Sequence, residues 1–168
     1  MRDVSLRPGE RFEDKYEGYG MMLYKIAIVH VGNRQDAEEA VQETFIKLLC
    51  KPPSFRDREH EKAWLIRVLV NTCKNITRSL WRKRVVATGE IERYCETGTD
   101  LQLMENVLRL PHKYKAAIHL FYYEDYSVKQ IADTLQLGES AVKMRLRRGR
   151  ELLKRQLEGE EEDDKGRL

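Results

Sequence analysis

The sequence predicts an all-α protein with two small helical domains joined by a flexible linker. Apolar residues recur at helical spacing along most of the 168 residues, and no stretch alternates in the way that predicts a strand. Charged residues form 35% of the chain and prolines number only four, which is typical of soluble, helix-rich proteins. Between two helical stretches, residues 85–100 contain two glycines and three threonines without a lasting period, which indicates the linker.

Three helices are predicted before the linker. The first has an apolar stripe from Phe12 to His30 and ends at Gly32-Asn33, which also offers a cap for the second helix. The second helix stops at Pro52-Pro53 and is followed by a polar loop. The core face predicted for the third helix has residues at i, i+3, i+4, i+7, i+11 and i+15, namely Leu65, Val68, Leu69, Thr72, Ile76 and Leu80.

Acidic residues are absent from residues 70–84, VNTCKNITRSLWRKR, although the chain holds 28 of them. Five basic residues and two asparagines lie in this stretch instead. Helical spacing brings most of these side chains onto one stripe opposite the apolar face. That stripe comprises Arg67, Asn71, Lys74, Asn75, Arg78 and Arg82. We therefore predict one coherent polar and basic surface rather than scattered solvated charge.

A helix-turn-helix is predicted over residues 126–153. Ser127, with Gln130 three residues later, forms a capping box for the first helix, and Gln136–Gly138 makes the short turn. The second helix begins near Glu139 and has a strongly basic outer surface, made of Lys143, Arg145, Arg147, Arg148 and Arg150. A basic helix alone could pack on a protein or face water. Preceded by a capped helix and a short turn, it predicts binding in the major groove of duplex DNA.

The last part of the chain is strongly acidic, because residues 158–164 include six acidic residues. Such a block indicates a solvated, disordered tail. The predicted organisation is a first domain at 1–84, a linker at 85–100, a second domain at 101–158 and an acidic, disordered tail at 159–168.

Taken together, these stretches resemble the bacterial sigma factors of RNA polymerase, in the extracytoplasmic function (ECF) group of the sigma-70 family. Residues 36–49, DAEEAVQETFIKLL, resemble the helix of the second conserved region, and residues 63–75, AWLIRVLVNTCKN, resemble the segment after it. Residues 110–153, with the helix-turn-helix, resemble the fourth region. The resemblance implies two helical domains that act as the dissociable initiation subunit of RNA polymerase.

Three binding surfaces are implied by this resemblance. The surface for core RNA polymerase comprises Asp36, Glu38, Glu39, Gln42 and Glu43. The surface for the single-stranded −10 promoter element comprises Asn71, Thr72, Lys74 and Asn75 near a flipped base, and Arg78 and Arg82 along the phosphates. The loop around Phe55–Glu61 is expected to complete that pocket. The surface for the −35 duplex comprises Lys143, Met144, Arg145, Arg147 and Arg148, with Met144 against a thymine methyl group.

Some positions depart from the family pattern or have two interpretations. Gln136 stands where the family usually has the turn glycine. Gly149 replaces a usual alanine inside the second helix of the motif, at an expected cost of roughly 0.5–1 kcal/mol. Trp64 is either a stacking platform or part of the core.

The main alternative is a stand-alone helix-turn-helix regulator that binds duplex DNA without joining polymerase. The motifs before the linker argue against it, because such a regulator has no use for a single-strand pocket. An enzyme is disfavoured, since no phosphate-binding loop, metal-ligand spacing or nucleophile elbow is found, and no catalytic residue, metal or cofactor is expected. With no apolar run of membrane-spanning length and no secretory signal, we expect a cytoplasmic protein without direct membrane insertion. The family resemblance adds an anti-sigma factor as an expected partner.

Overall fold

The computed structural model describes residues 10–79 and 104–165, with side chains at 10–78 and 104–159. All regular structure in these two ranges is helical, so the predicted all-α fold class is confirmed. The chain divides into two compact units, residues 1–90 and 91–168. The division falls within the predicted linker, whose residues 85–100 lie outside the described ranges.

Three helices form the first unit: α1 (Phe12–Val31), α2 (Arg34–Cys50) and α3 (Arg58–Ser79). Each packs against the other two. Their shared core contains Leu23 and Ile26 of α1, Ala37, Val41, Phe45 and Leu48 of α2, and Leu65, Ile66, Leu69 and Cys73 of α3. The helices are three-turn or longer elements whose stability derives mainly from burying these apolar faces.

The predicted cap between α1 and α2 is confirmed. Gly32 has a φ of 80°, a left-handed conformation that glycine adopts without steric cost, and its N–H bonds to the Ile28 carbonyl. Asn33 then caps α2, because its side-chain oxygen accepts a hydrogen bond from the Asp36 N–H at 2.9 Å. The Asn33 amide also donates to the Asp36 carboxylate at 2.7 Å.

The second unit contains a short helical segment at 104–108 and then α4 (His112–Tyr122), α5 (Val128–Leu135) and α6 (Glu139–Lys165). These three helices contact one another in every pairing. Fully buried apolar residues of the unit include Val107, Ala117, Ile118, Leu120, Ile131, Val142 and Leu146.

Helix α6 extends to Lys165, into the acidic segment for which the sequence favours disorder. Glutamate has high helix propensity, and adding turns to an existing helix avoids the cost of nucleation. Of the described helices, none is both long and apolar enough to cross a lipid bilayer.

Candidate nucleic-acid and partner interfaces

The polar face predicted on the third helix lies on α3. Asn71, Lys74, Asn75 and Arg78 are all exposed. At 100° of rotation per residue, their spacing keeps these four side chains within about a third of the helix circumference. The structure therefore brings four of the predicted −10 residues onto one accessible, acid-free face. Arg82, the third basic residue of the predicted −10 surface, lies outside the described residues.

Thr72 does not share this face. It is only 2% exposed and lies on the core side of α3, in line with Leu65 and Leu69. Its hydroxyl makes no hydrogen bond within the described part of the chain. One residue after Asn71, its side chain is rotated by about 100° and so points into the core. The Thr72 side chain is therefore not at the surface in this structure, where the expected contact with a captured base would be made.

An aromatic contact joins the loop before α3 to the polar face. The loop covers residues 51–57, and its Phe55 ring meets the Trp64 ring edge-on, with 5.6 Å between centroids. Trp64 is half-buried, and Asn71 follows it by seven residues. Seven residues are about two turns, or about 10 Å, so Trp64 lies on the same stripe as Asn71. Trp64 thus supports the loop at one end of the polar face. It is neither fully in the core nor a freely exposed stacking platform, the two interpretations left open by the sequence.

Glu61, included in the predicted pocket loop, is instead part of α3 and faces the core. It is 7% exposed and forms an ion pair with the buried Lys15 of α1. The Tyr19 hydroxyl donates a hydrogen bond to the other Glu61 oxygen at 3.1 Å, and Glu10 lies 3.8 Å from the Lys15 ammonium. Burial, and next the Glu61 charge, raise the pKa of Tyr19 to about 12.

Sequence reasoning missed this buried pair, although a signal for it exists. Lys15 follows Phe12 by three residues and precedes Tyr19 by four, so it lies on the apolar stripe of α1. Glu61 precedes Leu65 by four residues and lies on the core face of α3. Opposite charges at the core positions of two packed helices indicate an ion pair between them.

The helix-turn-helix lies in the second unit. Ser127 accepts a hydrogen bond from the Gln130 N–H at 3.1 Å, and the Gln130 side chain accepts one from the Ser127 N–H at 2.8 Å. This is the predicted capping box of α5. Gln136 caps the C-terminal end of α5 with a left-handed φ of 54°, and α6 begins three residues later at Glu139.

The first turns of α6 have one buried and one basic side. Val142 and Leu146 are buried, whereas the predicted −35 residues Lys143, Met144, Arg147 and Arg148 are exposed, and Arg145 is half-buried. Met144 is the apolar member of this surface and is 53% exposed. The outer side of α6 can therefore offer cations and one thioether to a groove at the same time.

Gly149, counted from the sequence as a cost to the helix, lies at the contact between α4 and α6. A Cβ atom at this position would lie 2.8 Å from Cγ1 of Ile118 and 3.5 Å from Cβ of Tyr114. The absence of a side chain lets the two helices approach closely. Close packing of α4 against α6 therefore explains why glycine occupies position 149, which helix propensity alone does not explain.

The predicted polymerase surface lies on α2, with unequal exposure. Glu38, Glu39 and Gln42 are exposed, while Asp36 and Glu43 are partly covered. Several members already have partners on the same helix: Asp36 holds the Asn33 cap, Glu38 meets Arg34 at 2.7 Å, and Glu43 meets Lys47 at 3.3 Å. Glu39 and Gln42 are therefore the members most available to a partner protein.

Comparison with known families and proteins matches both units. The family model for sigma-70 region 2 matches residues 16–83, and that for sigma-70 region 4 matches residues 100–153. The RNA polymerase sigma factor SigV of Bacillus subtilis is 32% identical, with 83% of this chain and 86% of SigV covered. The ECF RNA polymerase sigma factor SigW of the same organism is 27% identical, with 94% of each chain covered.

Two solved structures have a similar fold. One is CnrH in complex with the cytosolic domain of CnrY, with a TM-score of 0.67, 24% identity and 88% of each chain covered. The other is the sigma factor RpoE of Bartonella quintana in complex with the anti-sigma factor NepR, with a TM-score of 0.68, 21% identity and coverage of 88% and 96%. The family matches and the identity to SigV lead to one conclusion: the chain belongs to the extracytoplasmic function group of the sigma-70 family of RNA polymerase sigma factors.

Proposed function

We propose that this protein binds core RNA polymerase, recognises the −35 and −10 elements of its promoters and promotes DNA melting at initiation. The observation that carries the proposal is the exposed, acid-free face of α3 in a chain that also has a basic helix-turn-helix. A protein that reads only duplex DNA needs the second feature alone.

The face of α3 is suited to an unpaired strand. Asn71 and Asn75 each offer amide donors and an acceptor, which can bond to the Watson–Crick edge of a flipped base. Lys74 and Arg78 offer cations to the phosphates. Unstacking a base costs a few kcal/mol, which hydrogen bonding and stacking in a pocket must offset. An acidic residue among these groups would repel the strand.

The outer side of α6 is suited to duplex DNA. Lys143, Arg147 and Arg148 can neutralise phosphates or bond to guanine edges in the major groove, and Met144 can contact a thymine methyl group. Arg147 lies 3.9 Å from Glu151 on the same exposed face. So long and exposed a pair is weak and would yield readily to a phosphate.

Polymerase docking is assigned to the exposed part of α2, with Glu39 and Gln42 at its centre. In this proposal the polymerase supplies the chemistry of RNA synthesis, and the chain itself is not an enzyme. The protein acts in the cytoplasm, where promoters and polymerase are found. An anti-sigma factor is proposed as a further partner, because both similar structures were solved as complexes, one of them with a protein named as an anti-sigma factor.

The test is transcription reconstituted with bacterial core polymerase on a pool of promoter fragments from the source genome. We expect discrete starts only when the protein is present, and their loss in the double variant Asn71→Ala/Lys74→Ala. Lys25→Ala, which removes an exposed lysine of α1 remote from the α3 stripe in sequence, is the matched control and should keep them.

Two results would count against the proposal. Duplex binding without association with core polymerase would favour the stand-alone regulator. Starts that persist in the double variant would remove the −10 role of the α3 face while leaving the rest of the proposal intact.

A further inference from the structure

His60 joins the loop at 51–57 to the start of α3 through two reciprocal hydrogen bonds. Asp57 directly precedes the helix, and its side-chain oxygen accepts from the His60 N–H at 2.8 Å. In the opposite direction, Nδ1 of His60 accepts from the Arg56 N–H at 3.2 Å. The arrangement is similar to a capping box, but the returning bond reaches one residue further back than usual. It therefore fixes the backbone of the loop as well as the end of the helix.

The imidazole also holds the loop by its ring. The His60 and Phe55 rings meet edge-on with 5.6 Å between centroids, and Phe55 meets Trp64 in the same way at 5.6 Å. Phe55 is thus held between two side chains of α3. Because Nδ1 accepts a hydrogen bond, a neutral His60 ring must have its proton on Nε2.

This loop lies at one end of the polar face described above. Trp64 is on the stripe that contains Asn71 and Lys74, and the Phe55 ring rests against Trp64. Phe55 and the Arg56 backbone are therefore close to where a strand lying along that stripe would leave the helix. A pocket built partly from a loop discriminates between bases only if the loop has one conformation, since otherwise binding must first order it.

We propose that His60 is a positioning residue, whose Nδ1 acceptor holds the 51–57 loop in the conformation that gives the −10 pocket its base preference. The inference rests on the proposed function, because it assumes that a single strand binds along α3. It assigns His60 no contact with DNA. The residue acts through Arg56 and Phe55.

Two substitutions separate the acceptor from the ring. His60→Phe keeps a ring against Phe55 and removes the acceptor, whereas His60→Asn loses the ring and places an amide oxygen near the position of Nδ1. Glu17→Gln, at an exposed position of α1 outside the three predicted binding surfaces, is the matched control. Each full-length variant is assembled with core polymerase and incubated with a degenerate pool of short single-stranded DNA. Sequencing the bound fraction then gives the base preference at every position.

We expect His60→Phe to reduce the preference at one position by about fivefold, which corresponds to the net worth of one hydrogen bond. His60→Asn should stay within about twofold of the wild-type preference, and Glu17→Gln should not differ from wild type. Amide exchange by NMR tests the geometry separately: the Arg56 amide should exchange faster in His60→Phe than in the wild type and in His60→Asn. If His60→Phe fails to bind polymerase, His60→Ala takes its place in the comparison with His60→Asn.

The outcomes distinguish this inference from the proposed function. If the wild-type assembly shows no base preference for single strands, the −10 role of α3 fails and the role of His60 fails with it. If the wild type has a preference that His60→Phe or His60→Ala retains, only the role of His60 is overturned. Equal loss in His60→Asn and His60→Phe would also overturn it, because the acceptor would then not be the deciding group.

Discussion

The buried ion pair between Lys15 and Glu61 should contribute far more to the first unit than any of its surface pairs. The two side chains are 1% and 9% exposed. Removing one charge from such a pair leaves the other in a poorly solvated site. The perturbations are Lys15→Met, Glu61→Gln and the double variant, all of which approximately conserve side-chain volume.

The structure sets the expected magnitudes. Lys15→Met leaves the Glu61 carboxylate with only the Tyr19 hydroxyl among the contacts described above, so we expect a cost of about 3–5 kcal/mol. Glu61→Gln should cost less, about 2–3 kcal/mol, because Glu10 remains 3.8 Å from the Lys15 ammonium and the new amide can still accept from Tyr19. The double variant removes both charges, so its cost should be about 2 kcal/mol below the sum of the single costs.

Urea unfolding followed by tryptophan fluorescence measures these values. Both tryptophans of the sequence, Trp64 and Trp81, fall within residues 1–90, so the signal reports the first unit. Because a small unit is stable by only about 5 kcal/mol, the series is best measured in sucrose, which keeps the folded baseline of Lys15→Met visible.

A surface pair in the same unit provides the control cycle. Arg34 and Glu38 lie 2.7 Å apart with side chains 59% and 56% exposed. The cycle of Arg34→Met and Glu38→Gln should give a coupling energy below about 0.5 kcal/mol. A Lys15–Glu61 coupling no larger than that of this exposed pair would refute the reasoning, since burial would then add nothing to the interaction.

Three further predictions concern single positions. Gly149→Ala should destabilise the second unit by about 1–3 kcal/mol, because the added methyl group would lie 2.8 Å from Ile118, and thermal unfolding by circular dichroism would show it. Gly159→Ala on the same helix, where nothing lies within 4 Å, should be neutral or stabilising, and equal effects of the two would contradict the packing argument. Gln136→Gly should stabilise the same unit by about 1 kcal/mol, because the left-handed backbone at φ 54° strains a residue with a Cβ atom, and an unchanged midpoint would speak against that strain. Tyr19, with its pKa raised to about 12, should add stability below the unfolded value near pH 10 and lose it as the pH rises through 12. The free energy of unfolding in urea should therefore fall less steeply with rising pH in Tyr19→Phe than in the wild type. If the free energies of the two proteins fall in parallel, the linkage is disproved.

The sequence alone determined which segments of the described ranges are helical and where α2 and α5 are capped. Helical periodicity and the caps at Asn33 and Ser127 depend on residues within four positions of one another, so local pattern is sufficient to predict them. The same rule placed Asn71 and Lys74 on one accessible face of α3. The motifs along the chain were also sufficient to indicate the family to which both units belong.

Tertiary structure decided which individual side chains remain at those surfaces. Thr72 belongs to a motif that resembles a DNA-binding segment, yet packing of α3 against α1 and α2 buries it. Glu61 was expected in a loop and is paired with Lys15, 46 positions away. Gly149 was expected to destabilise its helix, but the lack of a side chain there allows the close approach of Ile118. Helical periodicity shows on which face of its own helix a residue lies, but these outcomes also depend on which faces of distant helices meet, and periodicity does not specify that.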